Sequence, residues 1–129
     1  MNGIKPQLLA WHMCDGVHID PHTKKHFIMG IFSGIHVPKL PTQHTSMTWF
    51  LAITDVPTGE HRLRISIGLN MQQSRPVLER PFASKSPASR IYLVNEVKNL
   101  PLQHAGEHNL EIEIDDEMLL VTSFNVTTA

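Results

Sequence analysis

Leucine and isoleucine occupy every second position in two stretches of the chain, residues 63–69 and residues 110–114. Arginine, serine, glycine or glutamate stands between them. Because successive side chains of a β-strand point to opposite faces, each stretch predicts a strand with one apolar face. The residues predicted to face the core are Leu63, Ile65, Ile67, Leu110, Ile112 and Ile114.

Residues 118–126 alternate in the same way, with Met118 predicted on the inner face. Leu119 and Val121 make the opposite face apolar as well, which is typical of a strand that is covered on both sides. This second face is therefore the predicted position of a partner or of a covering strand. The preceding Asp-Asp-Glu segment, residues 115–117, predicts a tight hairpin turn, although it lacks the favoured glycine.

Five further segments predict strands: four short apolar runs and one run bracketed by prolines. They are residues 8–14, 27–32, 47–54, 90–95 and 76–82. The first also suits a short helix, since Leu8 and Trp11 lie on one helical face. Turn-forming residues cluster between the runs, at Asp15-Gly16 among other places. The sequence therefore predicts an all-β protein with one domain, residues 1–129, folded as a single antiparallel β-sandwich, immunoglobulin-like or related, of seven or eight strands.

Charge and cysteine content narrow the function classes. The chain has 129 residues with 11 Lys and Arg against 12 Asp and Glu, so no strong field attracts nucleic acid or an anionic membrane. Its single cysteine excludes an intramolecular disulfide. No apolar run approaches the roughly 20 residues of a membrane helix, and the first residues lack the pattern of a signal peptide. We therefore expect a cytoplasmic protein that binds neither nucleic acid nor membrane.

The pattern Gly-Glu-His-x-Leu-x-Ile-x-Ile occurs twice, starting at Gly59 and at Gly106. One interpretation makes the two Glu-His pairs a symmetric acid–base or metal site. The other is structural: glycine permits a tight entry turn, and the ring two residues later, His61 or His108, packs over the corner of a sheet. The structural interpretation is favoured, because such turns recur in β-sandwiches. The two copies are expected either in equivalent positions of the two sheets or beside each other.

Several short motifs occur together in this chain: the Cys14-Asp15 pair, a Gly-Ile-Phe sequence at 30–32 after a basic loop, and the Gly-Glu-His sequences at 59–61 and 106–108. In this combination the chain resembles, over nearly its whole length, a bacterial family of short, stand-alone, uncharacterised proteins. The resemblance implies a β-sandwich and supplies no activity, since the family has no assigned function. The chain departs from the family where histidine replaces an aromatic residue such as tyrosine in the Gly-Glu motif, which keeps a polar role open there.

Nine histidines are the unusual feature of the composition. Three of them, His18, His22 and His26, are spaced by four residues, with Asp20 close by. Imidazole is the commonest protein ligand of zinc, so this loop is an alternative metal site with Zn as the cofactor. Pro21 argues against a continuous helix that would align the rings, and no His-Glu-x-x-His or Cys-x-x-Cys pattern accompanies them. The favoured interpretation is a solvated basic hairpin loop without a cofactor.

The sequence contains no recognisable catalytic motif, neither a nucleophile elbow nor a glycine-rich phosphate loop. Cys14 ends an apolar run and is expected to be buried and slow to react, because thiol chemistry needs an exposed, electropositive setting. We therefore expect a non-enzymatic module that binds a protein partner or associates with itself through exposed strand edges. The alternative is a histidine-based metal-binding or pH-responsive binding protein.

Overall fold

The computed structural model describes residues 4–129, and all the regular secondary structure in this range is β-strand, as predicted. The strands are β1 (Gln7–Ile19), β2 (His26–Phe32), β3 (Gly34–Val37), β4 (Thr42–Thr54), β5 (Gly59–Leu69), β6 (Arg75–Ser84), β7 (Ile91–Leu102), β8 (Gly106–Ile114) and β9 (Glu117–Thr128). Sheet A has the order β2-β1-β4-β7, and sheet B has the order β3-β9-β8-β5-β6. Residues 4–129 include no helix long and apolar enough to cross a membrane.

The two sheets enclose a hydrophobic core, to which each contributes alternate side chains of its strands. From sheet A, strand β4 supplies Trp49, Leu51 and Ile53, which are fully buried. From sheet B come the six residues predicted by the alternation of 63–69 and 110–114. Five of the six are buried, and Ile67 is partly buried and packs against the core. The predicted β-sandwich and the predicted inward face of these two strands are confirmed.

Nine strands are present in the described part of the chain, against the predicted seven or eight. The additional strand is β3, whose four residues are too few for a recognisable alternation. It runs parallel to β9, pairing Gly34 with Asn125 and Val37 with Thr128. All other strand pairs are antiparallel. The sandwich is thus antiparallel except at this one edge of sheet B.

Residues 8–14 lie in strand β1, so the helix alternative for this segment is wrong. Strand β1 also continues through Asp15-Gly16, where the sequence predicts a turn. The neighbouring strand β2 leaves room for the Asp15 side chain, because Gly30 on β2 has a φ of +67° and no side chain. A Cβ atom at Gly30 would clash with the Asp15 carboxylate. The turn follows later, between β1 and β2.

Met118 lies on the solvent face of β9, contrary to the prediction. An irregularity in the β8–β9 ladder between Ile112 and Glu113 places Met118 opposite Glu113 instead of a core residue. Phe124 and Val126 keep the predicted inward position. Within residues 4–129 no strand covers the outer face of β9, so the prediction of a covering strand there is also wrong. A β-bulge has no reliable sequence signal, which explains the error.

The two copies of the pattern lie on neighbouring antiparallel strands, β5 and β8, and each copy begins at the first residue of its strand. Ile65 pairs directly with Ile112, which holds the same position in the other copy, so a local two-fold axis passes between them. The axis relates His61 to His108, and each ring stacks on a phenylalanine of the next strand, with centroids 5.6 and 5.3 Å apart. The structural interpretation of the repeat is confirmed. The two rings lie at opposite ends of the strand pair and do not form one symmetric site.

Candidate functional site

The three histidines of the predicted zinc loop do not converge. His18 and His26 occupy adjacent cross-strand pairs of the β1–β2 ladder. Because adjacent pairs face opposite sides of a sheet, the two rings lie on opposite faces of the hairpin. His22 lies in the turn, where the N–H groups of Thr23 and His22 bind the Asp20 carboxylate and lower the pKa of Asp20. Within residues 4–129 no three His, Cys, Asp or Glu side chains are grouped so as to hold a metal ion.

One face of the β1–β2 hairpin packs on the outside of sheet A. The His26 ring lies 4.7 Å from the Tyr92 ring and 5.9 Å from the Phe50 ring, measured between centroids. Phe50 alternates along β4 with the core residues Trp49 and Leu51, so its ring lies on the outer face of the sheet. It is nevertheless buried. The hairpin therefore covers part of the outer face of sheet A, in addition to extending its edge.

Three apolar side chains of β2 are exposed: Phe27 and Met29 on the face of the hairpin opposite His26, and Ile31 beyond Gly30, whose φ of +67° interrupts the alternation. Phe27, Met29 and Ile31 are 50%, 50% and 58% exposed. We call this row the β2 strip. Across the ladder Met29 lies opposite Gly16, which has no side chain to cover it. An apolar row on a ribbon whose other face is already packed is typical of a surface that another molecule covers.

Strand β2 is also the least protected edge among the residues that the structure describes. Edge strands are commonly shielded from further pairing by proline, by charge or by shortness. In sheet B, β6 carries Pro76 and Pro81, and β3 has only four residues. At the other edge of sheet A, β7 contains Pro101, and the carbonyl of Val94 accepts a hydrogen bond from Arg80. Strand β2 has seven residues and no proline.

Both ring nitrogens of His61 lie within hydrogen-bond distance of an acceptor. Its Nδ1 lies 2.6 Å from Oδ2 of Asp115, and its Nε2 lies 2.6 Å from the carbonyl oxygen of Pro57. A carbonyl and a carboxylate accept hydrogen bonds, so the arrangement favours the doubly protonated ring. Burial alone lowers the pKa of His61, but the two hydrogen bonds and the charge of Asp115 outweigh it and raise the pKa above the usual value.

The pKa of Asp115 shifts in the opposite direction from the pKa of His61. Burial alone raises the pKa of this carboxyl, but the hydrogen bonds from His61 and from the Arg62 N–H outweigh burial and lower it. Asp115 and Asp116 form the predicted hairpin turn, with φ of 53° and 68°. Because both nitrogens of His61 are bonded within the protein, neither is available as a general base. The pair connects the β8–β9 turn to the start of β5, and the Nε2 bond of His61 extends this connection to Pro57, just before β5.

Cys14 is fully buried, as predicted. Its Sγ donates a weak hydrogen bond to the carbonyl of Thr48, 3.5 Å away. Burial raises the pKa of the thiol and outweighs the backbone hydrogen bond at Gly16. We expect a disulfide reagent to label native protein at pH 7.5 at least about tenfold more slowly than urea-unfolded protein, because both access and thiolate formation are suppressed. Equal labelling rates in the two states would contradict this assignment.

The β2 strip is an exposed apolar surface that the sequence analysis missed. The segment 27–32 is correctly predicted as a strand, but the sequence analysis does not say which of its apolar residues are exposed. The sequence does contain a signal for this surface, because both faces of the short β1–β2 ribbon carry apolar residues. Val17 and Ile28 lie on one face, and Phe27 and Met29 lie on the other. Such a ribbon needs cover on two sides, and the rest of the sandwich supplies only one.

Two solved structures are similar to this chain to different degrees. The alkylpurine DNA glycosylase AlkC from Pseudomonas fluorescens, solved bound to DNA containing an abasic site analog, is 9% identical with a TM-score of 0.57. The match covers 98% of this chain and 31% of the glycosylase, so the chain spans about a third of that protein. An immunoglobulin-like protein from Pseudomonas aeruginosa is 16% identical with a TM-score of 0.38, covering 95% of this chain and 96% of its own. At 9% identity the likeness to the glycosylase concerns the fold alone.

Sequence comparison gives a more direct relation. No curated protein matches the chain. The sequence model of one family, described as DUF6941, a family of unknown function, matches residues 9–127 and therefore spans both sheets. The predicted resemblance to an uncharacterised family is thus confirmed at this level. The chain belongs to the DUF6941 family, whose function is unknown.

Proposed function

We propose that this protein is a non-enzymatic interaction module that binds a second copy of itself through the β1–β2 hairpin. The observation that carries the proposal is the β2 strip, three apolar side chains that are at least half exposed on an unprotected edge strand. In an antiparallel β2–β2 contact, sheet A continues from one copy into the next. The lysines at positions 24 and 25 of the two copies then lie at opposite ends of the contact, so their charges do not oppose it.

The affinity of such a dimer can be estimated from the apolar surface that it buries. In edge-to-edge pairing the side chains of the strip stand beside those of the other copy, so part of their exposed surface is buried, which contributes about 1–2 kcal/mol from each copy. Two copies supply twice this amount, which at most matches the lower end of the roughly 4–15 kcal/mol that association costs in lost freedom. Backbone hydrogen bonds along the paired edges add a modest surplus. We therefore expect a weak, reversible dimer with a dissociation constant of about 0.1–1 mM.

The surroundings of Cys14 and His61 also support the non-enzymatic part of the proposal. Cys14 is buried with a raised pKa, and His61 has both nitrogens bonded within the protein. Neither presents a nucleophile or a base to solvent.

Met29→Lys is expected to abolish this association, because it places a charge at the centre of the β2 strip without touching the core. Sedimentation velocity over a concentration series checks the result: wild type shifts from monomer to dimer, and the variant stays monomeric. Met118→Lys is the matched control, since Met118 is 53% exposed on a strand of the other sheet. A wild type that remains monomeric at millimolar concentration, or an equal loss of dimer in the control, would overturn the proposal.

Zinc binding by His18, His22 and His26 is the alternative function. Because the first and third rings face opposite sides of the hairpin, we expect no saturable rise in melting temperature when zinc is added at pH 7.5. Thermal unfolding followed by circular dichroism checks this. A saturable rise that disappears when the three histidines are replaced together by alanine would instead support the zinc alternative.

A further inference from the structure

A cleft of about 700 Å³ opens between strands β6 and β7, at the edge of the sandwich away from the β2 strip. Part of the way along, Arg80 of β6 donates hydrogen bonds to the carbonyl of Val94 and to Oδ1 of Asn95, 3.4 and 3.1 Å away. Among the described residues these are the only hydrogen bonds between β6 and β7. Beyond them, toward the start of β6 and the end of β7, the two sheets separate and leave the cleft.

The floor of the cleft is apolar and continuous with the core. Val97 and Leu100 of β7 are buried members of the core cluster, while Ile67 and Leu78 of sheet B pack against that cluster and are partly buried. A cleft of this size with an apolar floor is within the range of small-molecule sites in proteins. An aliphatic chain lying on this floor would exclude water from the open end of the core.

The rim of the cleft is polar and carries an excess of positive charge. Arg75, Lys98 and His104 line it, with Glu96 as its single acidic residue. Lys98 Nζ lies 3.2 Å from Glu96 in an exposed ion pair, which is weak in water. Arg75 has no ion-pair partner among residues 4–129. The chain as a whole has a formal net charge of −1, so this cationic rim is a local feature.

We propose that the cleft binds a small aliphatic carboxylate, with the chain on the apolar floor and the carboxylate at Arg75. The guanidinium is suited to this role because its planar N–H groups match the two oxygens of a carboxylate. Pro76 and Pro101 line the two sides of the cleft and remove backbone donors there, which disfavours an added peptide strand. A free amphiphile therefore fits the site better than an extended peptide.

Isothermal titration with decanoate, below its aggregation concentration, tests this site. We expect saturable binding of decanoate, with acetate and decyltrimethylammonium each at least about tenfold weaker, since one lacks the chain and the other reverses the charge. Arg75→Glu is expected to weaken decanoate binding by about tenfold or more, the size of one charge-assisted hydrogen bond. Arg75 is exposed, so the substitution leaves the core unchanged.

Two control variants separate this cleft from other surfaces. Arg62→Glu makes the same charge change on the outer face of sheet B and is expected to leave decanoate binding unchanged. Phe27→Ser removes part of the β2 strip and is also expected to leave it unchanged. No binding of decanoate at millimolar concentration, equal binding of the two decyl compounds, or loss of binding in either control variant would overturn the proposal.

Discussion

Ile112→Ala is expected to lower the free energy of unfolding by about 2–5 kcal/mol. Ile112 is fully buried and pairs with Ile65 at the local two-fold axis, so both copies of the repeat pack around it. The surrounding strands are held by ladders on both sides and cannot collapse far into the space that the side chain leaves. Urea unfolding followed by tryptophan fluorescence measures the change.

Val121→Ala is the matched control for this prediction. It also removes methyl groups from a β-branched residue of sheet B, but Val121 is about half exposed on the outer face of β9. We expect the control to lower the free energy of unfolding by no more than about 0.5 kcal/mol. Similar losses in the two variants would show that the inward face of β8 has been assigned to the wrong residues.

His61→Phe is expected to lower the free energy of unfolding by about 1.5–3 kcal/mol at pH 6. The substitution removes the charged imidazole and its hydrogen bonds to Asp115 and Pro57. The phenyl ring still stacks on Phe82, so the change isolates the polar contacts. The same variant is expected to lose most of the pH dependence of stability between pH 6 and pH 8.5. Urea unfolding at several pH values measures both effects.

The sign of this pH dependence follows from the two pKa shifts. The pKa of His61 is raised above 6.5 on folding, so its contribution is complete below that pH and is lost as pH rises through the folded pKa. The pKa of Asp115 is lowered below 3.8, so its contribution is present above that pH and is lost as pH falls through the folded pKa. The pair therefore stabilises the fold most between about pH 4 and pH 6.5.

The internal repeat provides the control for the histidine effect. His108 stacks on Phe124 as His61 stacks on Phe82, but its Nδ1 is bonded to the carbonyl of Gly106 and no carboxylate pairs with the ring within the described residues. His108→Phe is expected to lower the free energy of unfolding at pH 6 by less than His61→Phe does, because it removes no bond to a carboxylate. A loss in His108→Phe as large as that in His61→Phe, or a pH dependence that persists in His61→Phe, would contradict the assignment.

Local patterns were sufficient to predict most of the fold. The alternation of residues 63–69 and 110–114 depends only on neighbours along the chain, so the sequence predicts these strands and their buried faces correctly. The same holds for the turn at 115–117 and for the burial of Cys14. The sandwich follows because many such strands must bury their apolar faces against one another.

Features that depend on distant contacts could not be predicted. Strand β3 exists because it pairs with the end of β9, some ninety residues later. The partners of His61 include a carboxylate 54 positions away, which no spacing rule connects to it. The hairpin of β1 and β2 covers Phe50 and Tyr92 only because it folds over sheet A, and this placement is what leaves the β2 strip exposed.

Amide hydrogen exchange of β2, measured at low and high protein concentration, tests the proposed self-association most directly. We expect exchange of residues 26–32 to slow as concentration rises, because the amides that face away from β1 become paired in the dimer. Exchange in the proline-bearing edge strand β6 is expected to stay constant over the same range. Concentration-independent exchange in β2, or slowing confined to another strand, would contradict the assignment of this hairpin as the interaction surface.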